Sequence, residues 1–147
     1  MARSSKEKYR LSMAGEYAVC AELSKRGFDA SITFGNMKAT DIIILMPDKS
    51  YRRIEVKTSR ETRFVTGFFQ KYFDITQNDY PDYWVLVHIV PSGGKDEMLN
   101  YYILTHQEMG DVQMERNNIT QWQHVKGCDN VLLKHILEYK DQWFKIT

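Results

Sequence analysis

Residues 40–58 read TDIIILMPDKSYRRIEVKT, and the fold turns on how this stretch is parsed. Thr40 to Met46 is a continuous apolar, β-branched run, the pattern of a strand buried on both faces. Pro47-Asp48-Lys49-Ser50 breaks it with turn-forming residues. Tyr51 to Thr58 then alternates, with Ile54 and Val56 on one side and Glu55 and Lys57 on the other. A three-residue loop at 48–50 would set Pro47 opposite Tyr51, Asp41 opposite Lys57 and Ile43 opposite Glu55. A two-residue loop would turn Asp41 to the opposite face, because the side-chain period of a strand is two. An odd-length loop or a bulge near 47–50 therefore lets Asp41, Glu55 and Lys57 converge at one end of the hairpin.

Upstream, Ser4 and Ser5 can cap a helix that continues through Leu23 and ends at Lys25-Arg26-Gly27. There two cations suit the helix C-terminus and Gly27 suits a left-handed cap. Met13, Val19, Cys20 and Leu23 form an apolar stripe with Glu16 among them, and Gly15 admits close approach of another element. Phe28 to Phe34 is expected as a strand, followed by a turn at Gly35-Asn36. Beyond residue 58, Tyr83 to Val90 and Asn100 to Leu104 are further strands in a hairpin across Pro91-Ser92-Gly93-Gly94. Thr105 to Glu108 is a capping box opening a helix, and Asp129 is expected to cap a last helix through about Tyr139. Residues 59–82 give neither period cleanly. The expectation is a single α/β domain over residues 1–147, with a central mixed sheet of about five strands flanked by helices.

The composition suits a globular chain of one core: 147 residues, 43% hydrophobic and 27% charged. The longest apolar run, Ile42 to Met46, is too short to span a bilayer, and no leader pattern stands at the start, so a cytoplasmic protein is expected. The two cysteines, Cys20 and Cys128, form no Cys-x-x-Cys pair, and the four histidines lack metal-ligand spacing. Net charge is +1, but unevenly spread. Residues 49–71 carry seven Lys/Arg against two Asp/Glu, whereas residues 72–147 carry six against eleven. A basic surface beside Glu55 would suit a polyanion; an ordinary solvated face would read the same way.

The chemistry lies in the joint pattern of a helix Glu, a strand-opening Asp, thirteen residues, then Glu-x-Lys. Magnesium prefers oxygen ligands and keeps several waters. Glu16, Asp41 and Glu55 with the Val56 carbonyl would hold Mg²⁺ or Mn²⁺ and leave room for a phosphate and a water. Lys57 would orient or deprotonate that water, or neutralise charge on the pentavalent intermediate. Each member also has an ordinary explanation. Glu55 and Lys57 can be an exposed pair worth about 0–1 kcal/mol. Asp41 can simply begin a strand, and Glu16 can bond Tyr17 or Tyr51.

Gly15 to Val19 through Lys25 to Phe28, Thr40 to Ile44 and Ile54 to Thr58 together resemble the PD-(D/E)XK nuclease superfamily, with its restriction-endonuclease-like core. The helix-borne Glu16 is similar to the arrangement in Holliday-junction resolvases and small relatives of that superfamily. Tyr83 to Val87 and Tyr101 to Leu104 resemble the latter loosely. The resemblance implies Glu16, Asp41 and Glu55 as metal ligands, Lys57 as catalytic lysine, and an endonuclease or phosphodiesterase acting on DNA. Thr40 stands in place of the family's Pro, and Thr58 where several members continue with a Gln-containing segment. Lys38, Thr58, Arg60, Arg63 and Lys71 are further candidates for phosphate contacts. A homodimer suits an enzyme that cuts both strands. The alternatives are a non-catalytic nucleic-acid- or protein-binding module on the same fold, or an interaction protein presenting the aromatic block 64–84.

Overall fold

The computed structural model describes residues 2–33, 40–72, 79–91, 96–120 and 127–147. Helix α1 (Ser5–Lys25) begins at Ser4, whose side chain accepts from the Glu7 N–H while Glu7 reaches back to the Ser4 N–H. This capping box satisfies two of the orphan donors of a helix start. The helix stops at Gly27, whose φ of +90° is the left-handed conformation expected there. Strands β1 (Asp29–Ile32), β2 (Ile42–Leu45) and β3 (Tyr51–Ser59) follow as an antiparallel meander. The short strand β4 (Arg63–Val65) and helix α2 (Phe68–Lys71) cross over to β5 (Tyr83–Val90), which pairs parallel with β3. Strand β6 (Met98–Thr105) returns antiparallel and runs directly into α3 (His106–Arg116), capped by the Thr105/Glu108 box. Strand β7 (Asn130–Leu132), the one-turn helix α4 (Leu133–Ile136) and two 3-10 turns complete the chain.

The protein is thus α/β, with a five-stranded mixed sheet in the order β1-β2-β3-β5-β6 and a small β4-β7 ribbon. Strict alternation sorts the sheet residues between two cores. Ile42, Ile44, Ile54, Val56, Val85, Val87 and Ile103 face α1, meeting Val19 and Leu23 together with Trp143 and Ile146 from the C-terminal turn. Trp84, Leu86, Tyr102 and Leu104 face the opposite layer, where Phe64, Phe68, Phe69, Tyr72, Met109, Val112, Val131 and Ile136 cover them.

Several expectations change. The reversal between β2 and β3 falls at 47–49, not 48–50: Met46 N–H donates to the Ser50 carbonyl (2.8 Å), and Lys49 takes a left-handed φ of 72°. The loop is odd in length as required, but the register shifts by two, so Ile42 pairs with Ile54 and Ile43 with Arg53. Strand β2 is not buried on both faces. Ile42 and Ile44 are buried while Ile43 and Leu45 are half-buried, because the second core is centred on β5 and β6. Asp129 does not cap a last helix; its carboxylate accepts the Phe69 N–H (2.5 Å) in the first turn of α2, and the residues after it form β7. The aromatic block contributes Phe64, Phe68, Phe69, Tyr72, Tyr83 and Trp84 to the interior and leaves only Tyr80 exposed among its described rings, stacked on His106, which removes most of the reason to read it as a contact surface; Phe73 lies outside the described residues. Phe34, the Gly35-Asn36 turn and most of the loop at 91–94 also lie outside them. Among the described residues no helix is long and apolar enough to cross a membrane.

Helix α1 crosses β3 at Gly15, and a Cβ there would lie 1.7 Å from Thr58 Oγ1 and 2.9 Å from Thr58 Cβ. Gly15→Ala gains helix propensity of about 1 kcal/mol. The overlap nevertheless lifts the helix off the sheet, and we expect a net loss of roughly 1–3 kcal/mol in urea denaturation. Thr58→Ala in the same chain removes the closer of the two overlaps, so the double variant should recover part of that loss.

Candidate functional site

Gly15 brings the next residue of the helix, Glu16, against the end of β3. Glu16 is buried, 9% exposed, and its carboxyl is hydrogen-bonded to Asp41. Asp41 sits where the β2 ladder becomes irregular. Its N–H donates to the carbonyl of Ile54 (2.9 Å), the residue paired with Ile42, and its Oδ2 accepts the Val56 N–H (2.8 Å). The side chain thus takes the place of a ladder carbonyl. It faces the backbone of β3 rather than Lys57, as the register expected from sequence would have required.

Glu16, Asp41, Val56, Lys57, Thr58 and Arg63 line one open cleft of about 690 Å³. Glu55 lies beside it, 6% exposed, with Oε1 3.0 Å from Lys57 Nζ. The Lys57 side chain is 27% exposed and bridges between that buried carboxylate and the cleft. The Thr58 hydroxyl is sealed under Gly15 without a partner, so it is not presented to a phosphate. Arg60 is ion-paired with Glu97 and lines a neighbouring hollow. Lys71 is exposed and acts on Glu55 only through its charge. Lys38 lies outside the described residues.

The electrostatics follow from burial and crowding. Burial, the hydrogen bond to Asp41 and the negative charges of Asp41 and Glu55 push the Glu16 carboxyl up to about 8. Burial likewise raises Glu55, against the pull of Lys57 and with the push of Asp41. The Tyr72 hydroxyl, buried and without a partner, is held above the ordinary tyrosine range by burial and then by Glu55 and Asp41.

The donor set is all oxygen, in keeping with the preference of magnesium. Its arrangement is tighter for two acids than for three. Among the described residues no group of three or more His, Cys, Asp or Glu side chains is gathered so as to hold a metal ion. Glu16, Asp41 and the backbone at Val56 fit a divalent cation, in that the burial and crowding that raise the Glu16 carboxyl are what a cation between the two side chains would relieve. Glu55 is committed to Lys57.

Sequence reasoning missed much of the cleft wall: Arg3, Lys8, Leu11, Ser12, Ser59, Glu61 and Val65. One signal was present. Lys8, Ser12 and Glu16 recur every four residues and so share one helix face. Comparison with known protein families, curated proteins and solved structures found no match to this chain.

The raised carboxyl has a stability consequence with a definite sign. Below the ordinary carboxylate value of 4.5, Glu16 is protonated whether folded or not and contributes nothing. Between 4.5 and about 8 the unfolded chain releases the proton and the folded chain keeps it, so stability falls as pH rises and then levels. Glu16→Gln should therefore be more stable than the wild type by an amount growing from pH 5 to pH 8.5, up to a few kcal/mol in metal-free buffer. Thermal melts across that range check this; parallel curves for the two proteins would contradict the assigned environment.

Proposed function

We propose that the protein is a metal-dependent phosphodiesterase of the PD-(D/E)XK type that hydrolyses DNA. One observation carries the reading. A helix carboxyl and the carboxylate preceding β2 meet in an open cleft, and that cleft also presents a lysine paired to a third, buried carboxylate. Carboxylates so close are a cost to the fold unless a positive charge is supplied. The resemblance of the same residues to the PD-(D/E)XK motif, together with an α/β mixed sheet flanked by helices, supports it.

In this reading Glu16 and Asp41 bind the cation, with the backbone at Val56 completing the protein's share. A bound divalent cation supplies polarisation of the phosphoryl oxygen and acidifies a coordinated water. The residues do the rest. Asp41 is held in one orientation by the Val56 N–H. Glu55 fixes the position of the Lys57 amino group at the cleft wall. That suits Lys57 to orient the attacking water and to neutralise charge on the pentavalent intermediate. Arg63, exposed in the cleft wall, is placed for a flanking phosphate.

A second reading, a non-catalytic nucleic-acid-binding module on this fold, is favoured by the looser gathering of the three acids. The two readings separate experimentally. Incubation with linear, nicked, branched and single-stranded DNA in Mg²⁺, Mn²⁺ or EDTA should give cleavage only with metal. Lys57→Ala and Asp41→Asn should each lower the rate by at least about 10²-fold while the far-UV circular dichroism is retained. Calorimetry should show Mg²⁺ or Mn²⁺ binding that Asp41→Asn abolishes. Undiminished activity in both variants would remove the site; DNA binding without any cleavage or metal uptake would favour the second reading.

A further inference from the structure

The cleft does not end at the carboxylates. Arg3 and Leu11 line it and also line an adjoining hollow of about 450 Å³, whose other walls are Glu7, Arg10, Ala14 and Arg60. The cleft itself runs as a trough along the Lys8–Ser12–Glu16 face of α1, whereas Arg10, two positions from Lys8, points to the far side of the helix. Arg3, Lys8 and Arg63 stand along the trough and make no ion pair with the described residues, while Arg60, in the adjoining hollow, is paired to Glu97. Of the acids nearby, Glu7 is taken up in the helix cap and Glu61 is exposed near Arg63. From Ser5 to Glu16 the helix advances about 17 Å, the axial rise of about five base pairs. The facing side chains are cations, hydroxyls (Ser12, Ser59) and small aliphatics, the set that contacts phosphate and sugar rather than stacking on base faces.

We propose that this trough is a backbone-tracking rail for duplex nucleic acid, with Arg3, Lys8 and Arg63 gripping phosphates and leading the duplex to the Glu16–Asp41–Lys57 end. The proposal rests on the preceding reading for the place where cleavage occurs. It adds the substrate's form and two residues, Arg3 and Lys8, that do no chemistry. Such a rail carries no base readout and grips sequences alike.

Binding measured in EDTA keeps the rail separate from catalysis. Fluorescence anisotropy with a labelled 20-base-pair duplex should show affinity falling steeply with salt. In Arg3→Ala/Lys8→Ala/Arg63→Ala the dissociation constant should rise at least tenfold. The slope of log affinity against log salt should flatten by about 2–3, since each neutralised phosphate contributes roughly 0.9. All three residues are at least partly exposed, and a melting curve confirms that the variant folds. Asp41→Asn should bind duplex in EDTA at least as well as wild type. Unchanged affinity in the triple variant overturns the rail and leaves the proposed activity standing. Wild-type binding with no metal-dependent cleavage overturns the activity and leaves the rail. Tighter binding to single strands than to duplex, or displacement of the duplex by polyglutamate at equal charge, overturns the rail's assignment.

Discussion

A single missing side chain sets the spacing on which the site depends. Gly15 lets α1 lie directly on Thr58 of β3, with no room for even a methyl group between them. That contact decides how deep the next residue sits, so Glu16 is sunk beside Asp41 instead of lying at the helix surface. The hydrophobic contacts of Val19 and Leu23 with Ile42, Ile44, Ile54 and Val56 hold the helix down. The glycine decides where it can settle. The unsatisfied Thr58 hydroxyl beneath it is a local cost of that approach.

The second constraint is electrostatic, and it works against the first. Close packing brings together groups that repel. The structure relieves the repulsion in three ways: a Glu16 carboxyl raised so that it keeps its proton, the Val56 N–H on Asp41, and the Lys57 ammonium on Glu55. None of these removes the strain completely, as the raised Glu16 and Glu55 carboxyls record. On the proposed reading, a bound cation would relieve what strain remains.

Much of the framework was readable from local pattern. The serine cap of α1, the Thr105–Glu108 capping box, the Gly27 stop and the span of β5 follow from rules acting within a few residues. The role of Gly15 as a point of close approach was readable too, though the residue it approaches was not. Strands β4 and β7 escaped detection because each is only three residues long and gains its identity from the other, far along the chain. The β2–β3 register was displaced because the turn rests on Lys49 entering a left-handed conformation, a choice that a lysine does not announce.

The candidate acids and the lysine could be picked from their order along the chain, because a strand's alternation and a helix's turn are periodic properties of the chain itself. Their mutual arrangement could not. Whether Glu55 faces the cleft or retreats onto Lys57, and whether Asp41 looks at that lysine or caps a backbone N–H, depends on a two-residue register and a sub-methyl helix spacing. The same holds for Arg3 and Lys8, ordinary surface cations by composition, which come to share a cleft with Glu16 and Asp41 only when the helix is laid across the sheet. Periodicity is local and can be read in one dimension; proximity between elements is set by packing and exists only in three.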